Sequence, residues 1–132
     1  MREIKFRAWD KAGKMMTIGS LQFINNDIWV TSSRDKRGFS TTIQDGAGCT
    51  LMQFTGLKDK NGQEIYEGDI IQTVADDGTK LSKFQIDWRD GAFRKLRDDG
   101  NIYFAESCGV KHTEGIGNIY ENPELIQEED SE

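Results

Sequence analysis

Apolar and polar residues alternate with a period of two along much of this chain. In residues 3–9, Ile4, Phe6 and Ala8 fall on one face and Lys5, Arg7 and Trp9 on the other. That is the pattern of a strand with one covered side. Asp10-Lys11-Ala12-Gly13-Lys14 turns the chain, and residues 15–18 return it. Residues 21–24 and 28–31 flank Asn25-Asn26-Asp27 as a second hairpin, and 32–40 form a polar, charged, mobile loop. Residues 39–48 are ambiguous and admit a short helix. Further strands are predicted at 51–54, 70–74, 81–88, 92–96, 102–104 and 116–120. Asn122-Pro123-Glu124-Leu125 reads as a helix start, with asparagine as N-cap, proline at the first helical position and a carboxylate at the positive end. Only a turn or two is expected before the acidic tail.

No segment sustains a period of 3.6 long enough for a long helix. The chain has one proline and fourteen glycines, a balance suited to short strands and tight turns. Asn61-Gly62, Asp77-Gly78, Asp90-Gly91 and Asp99-Gly100 each sit between β-forming residues, and such dipeptides favour type I′ hairpin turns. In Tyr66-Glu67-Gly68-Asp69-Ile70-Ile71, glycine supplies a bend and the acid can accept from nearby backbone amides as a strand begins. The expected fold is mainly β: a small, partly open SH3-like barrel or pseudo-barrel (51–126) with an N-terminal β-hairpin unit (1–50) and short helical segments. Residues 1–126 form one domain in this reading, residues 127–132 a disordered acidic tail. No internal repeat or linker is read.

Composition narrows the class. The 132 residues suffice for a real core without disulfides or metal. No apolar run approaches the ~20 residues that span a bilayer. The charged N-terminus lacks the apolar stretch of a signal peptide, so the expected location is cytoplasmic, with no membrane partner. Cys49 and Cys108 read as free thiols. The net charge of −6 is unevenly placed. Residues 1–40 hold eight Lys/Arg and four Asp/Glu, a net of +4; residues 41–132 hold nine and nineteen, a net of −10. The global balance argues against a general nucleic-acid coat and suits a basic target, while a local basic patch in the first forty residues stays open.

Three blocks, REIKFRAWD (2–10), LMQFTGLKDKNGQEIYEGDII (51–71) and IGNIYENPELI (116–126), resemble in order and spacing the YopX family of phage and prophage proteins. The blocks cover about a third of the chain. Gly115 departs from the β-branched residue expected before the last block. The resemblance implies a bacterial host cell and self-association into a homo-oligomer. It carries over no catalytic residue.

The candidate chemistry is sparse. A closed zinc site wants four Cys/His ligands, and this chain has two cysteines and His112. A Cys108/His112 dyad has no feature that would lower the thiol pKa. A serine triad would have to use His112 and lacks a nucleophile elbow. Asp76-Asp77, Asp98-Asp99 and Glu67 with Asp69 are paired acids better explained as turn formers. Gly46 and Gly48 lead into no phosphate-loop lysine. No cofactor or metal is expected. Two surfaces stand out: Lys58, Asp59, Lys60, Asn61 and Gly62 as an exposed tip for a partner, and Trp88, Arg89, Phe93, Arg94, Lys95 and Arg97 as an aromatic and basic surface for single-stranded nucleic acid. A second basic set is Lys5, Arg7, Lys11, Lys14, Arg34, Lys36 and Arg37. The leading expectation is a non-enzymatic accessory protein that binds a host or phage protein. A nucleic-acid-binding barrel comes second and a metal or thiol enzyme third.

Overall fold

The fold comes from a computed structural model, in which residues 3–97, 100–104 and 110–127 are described. The chain forms two compact units, Ile4–Gln53 and the part from Phe54 onward. Both are antiparallel β, and the described residues contain no closed barrel.

The N-terminal unit holds β1 (Phe6–Asp10), β2 (Lys14–Ile24), β3 (Asp27–Ser32), β4 (Thr42–Gln44) and the start of β5 (Cys49–Lys58), in the order β4-β3-β2-β1-β5. Its core gathers Ala8, Met16, Val30 and Cys49, with Ile18, Leu21, Ile43 and Leu51 packed against them. The two short strands expected at 15–18 and 21–24 are one strand. The pairing of β2 with β3 shifts between Ile18 and Ser20, a bulge at Gly19. The extra residue moves the apolar positions from Met16 and Ile18 to Leu21 while keeping them on the core face. A Cβ at Gly19 would lie 3.0 Å from the Ser32 carbonyl oxygen, so glycine allows the strands to close there. The ambiguous 39–48 stretch holds β4 and a turn at 45–48, with no helix. Gly46 takes a φ of 88°, and the amides of Ala47 and Gly48 both donate to the Gln44 carbonyl.

In the second unit, the end of β5 pairs with β6 (Glu64–Tyr66). Then β7 (Asp69–Val74), β8 (Lys80–Arg89), β9 (Ala92–Arg97) and β10 (Gly100–Tyr103) form a meander, and β11 (Thr113–Asn118) returns beside β7. Ile65, Ile71, Phe84, Ile86 and Phe104 make the core, flanked by Leu57 and Phe93. As expected at the start of β7, Gly68 has a φ of 84° and the Asp69 carboxylate accepts from the Tyr66 amide at 2.8 Å. The last strand begins at Thr113, three residues before the sequence pattern shows it, because a bulge between Gly115 and Gly117 breaks its alternation. The C-terminal helix α1 (Glu124–Gln127) is a single turn packed against β8. The Asn122 Oδ1 accepts from the Asn118 amide, so it is not spent as a cap on α1.

The turns divide by chemistry. Asn25-Asn26 and Asp90-Gly91 have two positive φ values each, as type I′ turns require. Asn61-Gly62 and Asp77-Gly78 do not: only the glycine is positive. There a type I turn is followed by a left-handed glycine, whose amide donates back to the carbonyl of Asp59 or Ala75. The Asp99-Gly100 turn begins outside the described residues. A short recurrence escapes the repeat-free reading: Asp-Lys-x-Gly occurs at 10–13, 35–38 and 59–62. Each time the aspartate Oδ1 accepts from the amide two residues on, at 2.9, 2.9 and 2.8 Å, and its carbonyl accepts from the glycine amide. The repeat is a turn module made by side-chain capping.

Candidate partner-binding groove

The β8–β9 hairpin does not assemble its six candidate residues on one surface. Cross-strand pairs share a face, and the pairs here are Trp88 with Phe93, Ile86 with Lys95, and Asp87 with Arg94. Trp88, Phe93, Lys95 and Arg97 therefore lie on the core face, and Arg89 and Arg94 on the other. Lys95 is only 7% exposed, its ammonium 4.9 Å from the centre of the Phe84 ring, and the Arg97 guanidinium lies 5.5 Å from the same ring. These cations are spent on a core aromatic. Arg89 pairs with Asp87 at 3.1 Å. Only Trp88, half exposed and edge-on to Phe93, keeps the open aromatic surface that stacking needs.

The tip at 58–62 is likewise not all exposed. Asp59 is 5% exposed. Its Oδ1 accepts from the amides of Asn61 and Gln63 at 2.8 and 2.9 Å, and its Oδ2 from the Gly115 amide of β11 at 2.9 Å. The Lys60 amide donates to the Thr113 carbonyl at 2.9 Å. Asp59 clamps the turn to β11, leaving Lys58, Lys60, Asn61 and Gly62 outward. Gly115, the departure noted in the sequence, donates the remote bond of that clamp.

His112 and Cys49, residues weighed for metal or thiol chemistry, form no such site among the described residues. His112 Nε2 lies 2.6 Å from the Asp76 carboxylate on the surface, and Cys108 falls outside the described residues. Cys49 is fully buried, and burial, then Asp45 and Asp10, push its thiol above the ordinary range. Among the described residues no group of three or more His, Cys, Asp or Glu is placed to hold a metal ion. Among them, too, no helix is long and apolar enough to cross a membrane.

The feature with an open surface lies in the N-terminal unit. A groove of about 360 Å³ runs between the start of β2 and the 33–41 segment. Hydrogen bonds tie both ends of that segment to the sheet. Its Ser33 amide donates to the Thr17 carbonyl at 2.9 Å, and the Thr41 amide to the Ser32 hydroxyl at 2.9 Å. The second Asp-Lys-x-Gly turn shapes its middle: the Asp35 carboxylate accepts from the amides of Arg37 and Phe39, which hold it below its ordinary pKa, the Phe39 bond foremost. The turn presents Phe39, 65% exposed, with the Arg37 guanidinium 5.4 Å from its ring centre. Lys14 and Arg34 complete the basic rim, with no ion-pair partner among the described residues, and Met15 adds a thioether to the wall. Lys14, Arg34 and Arg37 were visible as part of a basic set. Phe39 was missed, because an isolated aromatic in a polar stretch has no period to mark it. The Asp-Lys-Arg-Gly turn directly before it is the signal that would have found it.

Comparison with known proteins agrees with this topology. A sequence model described as YopX protein matches residues 5–127. Protein EF1440 from Enterococcus faecalis, known from its crystal structure, is 31% identical over 96% of this chain and 99% of that one, with a TM-score of 0.68. Protein yopX from Bacillus subtilis is 23% identical over the same shares, with a TM-score of 0.65, a likeness of fold. No curated protein matches. With a family match spanning nearly all of it, and a solved relative sharing almost its full length, the chain belongs to the YopX protein family.

Proposed function

We propose that this protein is a non-enzymatic phage or prophage accessory protein that works inside a bacterial host cell by binding another protein. The observation that carries the reading is the groove of the N-terminal unit, where an exposed aromatic ring and two cations unpaired among the described residues, Lys14 and Arg34, are held on a hydrogen-bonded frame. Binding surfaces combine such aromatic anchors with arginine. Self-association belongs to the same reading, since Phe23 and Ile24 stand exposed at the β2–β3 tip, and light scattering on the purified chain tests it. The binding test is affinity capture from lysogenic host lysate with the wild type and an Arg34→Glu/Arg37→Glu variant. A protein held by the wild type and lost with the variant is expected. Identical captures, or none, refute the reading.

Single-stranded nucleic acid is the competing ligand, favoured by the open ring of Trp88 on β8. It requires binding that weakens steeply with salt. No affinity for an oligonucleotide at low salt removes it.

A further inference from the structure

The two units differ in charge. Ile4–Gln53 holds seven Lys/Arg and four Asp/Glu, a net of +3, while residues 54–132 hold nine and eighteen, a net of −9. A whole-chain balance of −6 therefore hides a basic unit, and the groove lies entirely within it. The acidic composition points to a basic target, but the charge around the groove points to an acidic one.

The lining refines that. Its cations are Lys14, Arg34 and Arg37, and its acids are Asp10 and Asp35. Asp35 is already committed to two backbone amides and lies 3.6 Å from the Arg37 guanidinium. Asp10 accepts from the Ala12 amide. The two cations without ion-pair partners among the described residues, Lys14 and Arg34, are the ones with charge to offer. A nucleic-acid backbone, with a phosphate at every step, wants a continuous basic track. Here two carboxylates stand among three cations, so a run of successive phosphates would meet acids as well as cations. A peptide carries its charges singly, with neutral amides and apolar side chains between them. Phe39 and Met15 give such an apolar side chain a place to rest, and methionine adapts to its shape.

We infer that the groove between the start of β2 and the 33–41 segment binds a short acidic peptide segment of a partner protein. Its carboxylates meet Lys14 and Arg34, and an adjacent apolar side chain packs on Phe39. This rests on the proposal that the protein is a binding module, and it names the chemistry of what is bound.

The test is fluorescence anisotropy on the full chain with three labelled probes: a short peptide of Asp and Glu around a central leucine, the same peptide with every acid replaced by its amide, and an oligothymidylate of similar length. The acidic peptide is expected to bind at least tenfold more tightly than the other two. Arg34→Gln/Lys14→Gln should weaken it about tenfold, as should Phe39→Ala, which leaves every charge in place; circular dichroism confirms that each variant keeps its strands. Equal binding of the acidic and amide peptides, or no loss in both variants, overturns the inference. Tighter binding of the oligothymidylate overturns it too, replacing the ligand class while leaving a binding module. Failure of all three probes overturns the acidic-peptide inference alone if the lysate partner is still lost with the groove variant.

Discussion

Replacing Asp59 should cost this protein more than its place in a turn implies. Its carboxylate accepts three backbone amides, two from its own turn and one from Gly115 on β11. In Asp59→Ala the amides of Asn61 and Gln63 can turn to water, since both residues are exposed, and each loses about 0.5–1 kcal/mol. The Gly115 amide is half-buried, and losing a charged acceptor there costs about 1.5–3 kcal/mol. The sum is about 2.5–5 kcal/mol. Asp59→Asn keeps Oδ1 for the turn but aims an amide donor at the Gly115 N–H, and should cost about 1.5–3 kcal/mol. Asp10 heads the same kind of turn, but its carboxylate accepts there from the exposed Ala12 amide, so Asp10→Ala should cost no more than about 1 kcal/mol. Urea denaturation measures all three. With a slope of about 1.5 kcal/mol/M, Asp59→Ala should lower the midpoint by about 2–3 M and Asp10→Ala by well under 1 M. Equal shifts for the two alanine variants would refute the clamp and leave Asp59 an ordinary turn former.

Other outcomes follow from the same geometry. Lys95→Ala should destabilise by about 1–2 kcal/mol, because the side chain is buried across Phe84, and Lys95→Met should recover part of that loss through packing; thermal melts distinguish them. Cys49 should alkylate at least about a hundredfold more slowly in the native protein than in denaturant, since burial disfavours its thiolate, as peptide mapping can resolve. Three carboxyls lie below their ordinary pKa values: Asp35 through the Phe39 amide, Asp77 through the Thr79 hydroxyl, and Glu114 through the Lys80 ammonium. Their folded pKa values are depressed, so their contribution is full above the unfolded values near 4 and lost as pH falls through the lower folded ones. Stability should be level from neutral pH to about 5 and decline below about 4, and a midpoint that rises on acidification would contradict those pairings.

Most strands were legible because their apolar residues alternate without interruption, as around Ala8 and Ile86. The misreadings gather where alternation breaks. Gly19 and Gly115 mark bulges, which shift the apolar face by one residue and look like strand ends. Asn61-Gly62 looks like a type I′ pair, yet the Asp59 carboxylate selects the longer turn by bonding its amides. The candidate surfaces were harder to read. Lys95 counts as a cation in the sequence, and only the pairing of Ile86 with Lys95 shows that it faces the core. Phe39 gains meaning from Lys14 and Thr17, some twenty residues earlier, which pairing of the N-terminal strands brings beside it. A net charge likewise describes the whole chain and conceals a basic unit within it.

The most direct test of the binding account is site-specific photocrosslinking in the lysogenic host, with a photoreactive phenylalanine analogue in place of Phe39. Leu81, equally prominent on the surface of the other unit, serves as the control position. The account predicts a discrete crosslinked protein from position 39, absent from position 81 and lost when Lys14 and Arg34 are neutralised. Crosslinks from position 81 but not from 39 would contradict it, as would a position-39 product that is indifferent to those two cations.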